Sequence, residues 1–186
     1  MHEIFVILIP TVVSAVAVFI LSSIVHMVLP WHKGDYPKLP NQDAVMDALR
    51  GFNIPPGEYM APRPDSRDDM KSPEFKAKME RGPAFILNIR PPGGFSMAGP
   101  LGWWFVYCLL ISWFAGHVAW GADIPAAETH RIFHTVGLAA GLGYCAGIWQ
   151  QTIWFGKPWM STFKSTIDGL IYAAATALIF VWLWPK

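Results

Sequence analysis

Apolar residues along the chain fall into four long runs, separated by one long polar segment and two short turns. The first run, Ile4 to Leu29, reads IFVILIPTVVSAVAVFILSSIVHMVL and stops at Pro30. The second, Leu101 to Trp120, follows Pro100 and ends at Gly121. The third covers Ile132 to Phe155 and meets the turn Gly156-Lys157-Pro158. The fourth covers Ser165 to Trp184. An apolar helix of about 20 residues crosses the hydrocarbon core of a bilayer, so each run predicts a transmembrane helix. Pro10 predicts a bend near the start of the first. Trp103, Trp104, Trp120, Trp154, Trp159, Trp182 and Trp184 all fall at predicted helix ends. Amphipathic aromatic rings settle there, at head-group level. The expected fold is an all-α membrane protein: an up-down bundle of four transmembrane helices, with a long Pro-rich extramembrane loop between helices 1 and 2.

That loop, residues 31–99, has a different pattern. Twelve of the sixteen prolines lie from Pro30 to Pro100, and ten of the fourteen Lys and Arg lie within the loop. Asn41 predicts the cap of a short amphipathic helix, QDAVMDALR, that stops at Gly51. Ser72-Pro73-Glu74 predicts a second start and Gly82-Pro83 a second stop. Ala84 to Ile89, AFILNI, fits either a strand or a stretch lying on the bilayer surface. The segment has little apolar surface to bury, so it is expected to drape over the bundle or a partner rather than fold alone.

Composition narrows the class. The chain has 186 residues, 53% hydrophobic and only 15% charged, too apolar for an ordinary soluble domain. The net charge of +1 and the lack of a basic block interleaved with aromatics exclude a nucleic-acid partner. Cys108 and Cys145 show no metal-binding spacing and read as small apolar thiols at similar depth on adjacent helices. The first run has no basic residue before it and no small-residue cleavage pattern, so it is read as a retained helix. Four spans put both termini on one face, and the other face carries twelve of the fourteen Lys and Arg. The positive-inside rule then places the loop in the cytoplasm and the termini outside.

The stretch HVAWGADIPAAETHRIFH, His117 to His134, is the nearest approach to a chemical motif. His117 lies one turn inside the second run, and His130 and His134 share a face of the third. With Glu128 they form a candidate metal set, since imidazoles and a carboxylate suit Zn or Cu. His117 and His134 also sit where haem ligands or quinone contacts could lie. The HExxH pattern of a zinc protease is absent. The simpler reading is a polar rim at helix ends, with Glu128 placed near a helix N-terminus, and no cofactor is expected.

Lys164 and Asp168 are four residues apart and predict a structural ion pair in the fourth helix. With Gln150 and Gln151, Asp168 could instead line a transport path. Gly137, Gly141, Gly143 and Gly147 in the third helix, and Gly169 and Ala173 in the fourth, form small-residue faces that let backbones approach closely. They predict tight packing of these two helices on each other or on a partner.

HMVLPWHKGDYPKLPNQDAV after the first run, GKPWMSTFKSTIDGLIYA before the fourth, and the terminal WLWP resemble a group of small bacterial integral membrane proteins with four helices and no established activity. The resemblance implies the bacterial cytoplasmic (inner) membrane and transfers no site residues. The expected function is a non-catalytic accessory or structural subunit, with other membrane proteins or further copies of itself as partners. The alternatives are a metal-, haem- or quinone-binding protein built on His117, His130 and His134, or a small oligomeric transporter.

Overall fold

A computed structural model describes residues 7–94 and 96–184. The chain divides into two compact units, residues 1–37 with 96–186 and residues 38–95.

The larger unit is a ring of four helical spans, each long and apolar enough to cross a membrane. Helix α1, Leu8–Ser23, continues through a π-helical turn at Ile24–Val28. Residues 4–6 of the first predicted run lie outside the described residues. Pro10 falls in the first turn of α1, where its missing N–H has no intrahelical partner to lose. The second span is Ala98–Gly121, three residues longer at its start than predicted because Pro100 is accommodated in the first turn. The third span is broken: a helix at Thr129–Cys145, a 3-10 turn at Ala146–Ile148, then a short helix at Trp149–Phe155. The fourth, Trp159–Leu183, starts at Trp159 rather than at Ser165. In chain order these helices are α4 (second span), α5 and α6 (third) and α7 (fourth), because two short helices of the other unit fall between the first two spans.

Each span packs on two others: α1 on α4 and α7, α5 on α4 and α7. The small-residue faces serve this packing inside the chain. A methyl at Gly137 would meet the Ala177 Cβ at 3.5 Å, and one at Gly141 the Ala173 Cβ at 3.8 Å. One at Gly169 would lie 2.6 Å from the Cys145 sulfur and 3.2 Å from the Tyr144 carbonyl oxygen. Gly143 faces Ile111 of α4. Gly147 differs from the expectation: it sits in the 3-10 turn with open space around it. The core runs along the axis through Val18, Cys108, Ile132, Val136 and Phe180. Leu110, Phe114, Leu138, Leu170, Leu178 and Trp182 are exposed on the outer faces. A bundle with large apolar side chains both inside and outside has the character of a multi-pass membrane protein.

The smaller unit holds helices α2, Gln42–Gly51, and α3, Pro73–Arg81, and an antiparallel strand pair, β1 Gly57–Ala61 and β2 Phe85–Ile89. Its register runs from Gly57 opposite Ile89 to Ala61 opposite Phe85. Phe85–Ile89 of AFILNI is thus a strand, the ambiguity resolved by a partner strand whose central residue, Tyr59, lies 28 residues upstream of Leu87. Ser72 caps α3, its hydroxyl accepting from the Phe75 N–H at 3.0 Å. Asn41 stands before α2 with a left-handed backbone and makes no side-chain cap. No described residue of this unit is buried.

Candidate metal centre

The site is assembled where the first span ends. A helix cannot continue through Pro30, and the backbone leaves the helical region at Leu29. One turn earlier the helix widens, with the Leu29 N–H bonded to the Ile24 carbonyl at 3.0 Å. Such π turns shift the side chains within them relative to the regular helix, and they recur at functional sites. His26 lies in this turn. Past Pro30 a 3-10 turn, Pro30–His32, brings His32 back to the bundle. There the His32 ring stacks on His26, centroids 4.4 Å apart and planes 9° from parallel.

Asp168 supplies the third group. It lies nine residues into α7, deeper than the sequence suggested, because the helix begins at Trp159. Its side chain is buried, and its Oδ2 is 2.7 Å from His32 Nε2. The other His32 nitrogen, Nδ1, is 2.7 Å from Asp35 Oδ2. Lys164 Nζ donates to Asp35 Oδ1 at 2.8 Å and lies 5.7 Å from the centre of the Trp31 ring. The Lys164 hydrogen bond, supported by His32, holds the Asp35 carboxyl below the usual carboxylate range. His26 Nδ1 is 3.1 Å from the Ser22 carbonyl oxygen. A carbonyl only accepts, so this nitrogen carries the proton and Nε2 is left free.

One ligand atom from each of His26, His32 and Asp168 lies within 4.8 Å of the others. Two imidazoles and a carboxylate are a donor set for Zn²⁺ or Fe²⁺, with positions left open for another ligand. Bonds of about 2 Å place tetrahedral ligand atoms roughly 3.3 Å apart. His32 Nε2 and Asp168 Oδ2, hydrogen-bonded at 2.7 Å, would part by roughly half an ångström to share an ion, and His26 is exposed beside them. The surroundings also fit. Metal-bound histidines typically donate their other nitrogen to a carboxylate or a backbone carbonyl, which fixes the tautomer and the ring. Asp35 does this for His32 and Ser22 for His26. The expectation that the chain has no cofactor is overturned by this His/His/Asp cluster.

Comparison with family models, curated proteins and solved structures returns no match.

The predicted site residues are distributed differently. His130 and His134 do meet, Nε2 to Nε2 at 2.9 Å, on an exposed face of α5. His117 packs its ring on Trp113 and is exposed on α4, and Glu128 pairs with Arg131 at 2.7 Å. Among the described residues, the three-ligand cluster contains none of these four. The predicted Lys164–Asp168 pair is a correction. Each partner bonds instead to the segment after the first span, Lys164 to Asp35 and Asp168 to His32. Gln150 and Gln151 are exposed on α6. His26 and His32 were missed by the spacing rules because Pro30 separates them. The signal available was two histidines flanking a helix stop, with Asp35 next, on the same predicted face as Asp168. Cys108 and Cys145 are free thiols, and the Cys145 sulfur lies 3.6 Å from the Thr166 carbonyl oxygen.

Proposed function

We propose that the protein is a membrane-embedded metal-binding protein that holds one divalent transition-metal ion between His26, His32 and Asp168. The observation that carries this is the convergence of the three side chains with both histidine Nδ1 atoms already engaged. The buried acid supports it. A carboxylate inside a membrane span is costly and is retained where it has a partner or a task. Asp168 is 3% exposed, and its oxygen is committed to a ring nitrogen that a metal would take over. Asp35 and Lys164 are positioning residues that hold His32 in place. Two histidines and one carboxylate leave coordination positions open, so the ion would be able to take a further ligand. By the positive-inside rule this end of the bundle faces the cytoplasm.

The test is metal content of the purified protein in nanodiscs after loading with Zn²⁺ or Fe²⁺ and desalting. About one ion per chain is expected. His32→Ala and Asp168→Asn should lose it, and His130→Ala with His134→Ala should keep it. Absence of a stoichiometric ion from the parent protein would leave the cluster as a hydrogen-bonded tie that anchors the segment after the first span.

A further inference from the structure

Two hollows flank Trp104. One, about 210 Å³, is lined by His26, Trp104, Tyr107, Tyr144, Asp168 and Tyr172 among its residues. The other, about 220 Å³, lies between the first and second spans, against Met27, Met97 and Leu101. They share His26 and Trp104. The first has two of the three metal ligands on its wall, and the second is almost entirely apolar.

The first hollow has an unusual wall. Trp104 stacks on Tyr107 with centroids 5.6 Å apart, and Tyr144 and Tyr172 lie 6.3 and 6.1 Å from Trp104. Two of these rings have their polar atoms satisfied. Trp104 Nε1 donates to the Ser22 hydroxyl at 2.8 Å, and the Tyr107 hydroxyl donates to the Gly143 carbonyl at 2.6 Å. The hydroxyls of Tyr144 and Tyr172 are buried and find no partner among the described residues. A buried hydroxyl without a partner costs free energy that phenylalanine would avoid. Their rings border the first hollow beside His26 and Asp168, while the oxygens themselves are closed off from it.

A molecule matched to these features has a flat ring to stack on aromatics, a ring oxygen for the ion, and an apolar tail for the second hollow. We propose that the two hollows seat a lipid-soluble quinone, its ring beside Tyr144, Tyr172 and Asp168 and its tail between the first and second spans. A phosphate head fits less well. Among the described residues, no Lys or Arg lines either hollow, and Lys164 is engaged by Asp35. The ring-oxygen contact to the ion rests on the metal reading above, whereas the aromatic wall and the tail groove do not.

The experiment uses a decyl-substituted benzoquinone and the full chain in nanodiscs, with empty nanodiscs as the measure of lipid partitioning. Retained quinone and bound metal are measured on the same samples. Ser165→Leu fills the first hollow from a position outside the metal cluster. The expected result is saturable binding above the lipid background, weakened about tenfold or more in Ser165→Leu, with metal content unchanged. Met97→Trp, which narrows the tail groove, should weaken the decyl quinone more than an unsubstituted benzoquinone. Binding that equals empty nanodiscs, or that both variants leave unchanged, overturns the proposal. Metal retained without quinone leaves the metal reading standing alone. Quinone bound by a protein without metal, with the same loss in Ser165→Leu, upholds the hollow and removes the ion.

Discussion

His32 is held at both ring nitrogens, by Asp35 on one side and Asp168 on the other. An Asn at 35 would leave one acceptor oxygen for two donors, His32 and Lys164, and should loosen the ring without removing a ligand. Asp35→Asn is thus expected to weaken metal binding roughly 10- to 100-fold, as losses of a ligand's outer partner do, and titration against a competing chelator would measure it. An Asp35→Asn variant with parental affinity would show that His32 needs no such support. Glycine positions separate as sharply. A methyl at Gly169 meets the Cys145 sulfur and the Tyr144 backbone, whereas one at Gly147 meets nothing. Gly169→Ala should cost about 1–3 kcal/mol through overpacking, and Gly147→Ala should be close to neutral. Thermal unfolding in one detergent, both variants beside the parent, checks the contrast. The spacing of small residues was plain in the sequence. Which of them touch a neighbour was not, because that depends on helix rotation and on the break after Cys145.

At the scale of elements, the first span and its stop do the placing. Pro30 ends the helix, the π turn re-aims His26, and the 3-10 turn returns His32 to α7. Replacing Pro30 with Ala removes the block and lets the helix extend outward. Metal affinity is expected to fall by about tenfold or more while helix content stays the same or rises. Circular dichroism and metal titration on one sample decide this, since a parallel loss of both would mean unfolding. The spans themselves were legible because about 20 apolar residues between stops is a strong pattern. Their ends were less legible. Pro100 looks like a boundary in the sequence although prolines fit a first helical turn, and the apolar pattern starts α7 at Ser165, six residues after its true start. That second error made Asp168 look shallower than it is.

At the scale of the whole molecule, the arrangement of charges gives an orientation that can be checked. The proposed topology puts residues 38–95 on the cytoplasmic side. A Ser66→Cys reporter, in a chain with Cys108→Ala and Cys145→Ala, should resist a membrane-impermeant maleimide in intact cells and react once the membrane is opened. Labelling of intact cells would invert the topology. No described residue of the unit is buried, so its stability should depend little on single apolar side chains.

The sequence by itself determined the number of spans, their approximate limits, the polar segment between the first two, and the small-residue faces that pack the last two. These follow from local periodicity and composition, which a linear chain displays openly. Only the tertiary structure decided the chemistry. His26 and His32 are six residues apart across a proline, and Asp168 lies 136 residues beyond His32. Nothing local relates them. They meet because a π turn, a 3-10 turn and the packing of α1 on α7 together fix three side-chain directions. The more conspicuous histidines at 117, 130 and 134 share a helix end and a residue type, but the rotation of their helices turns them to exposed faces.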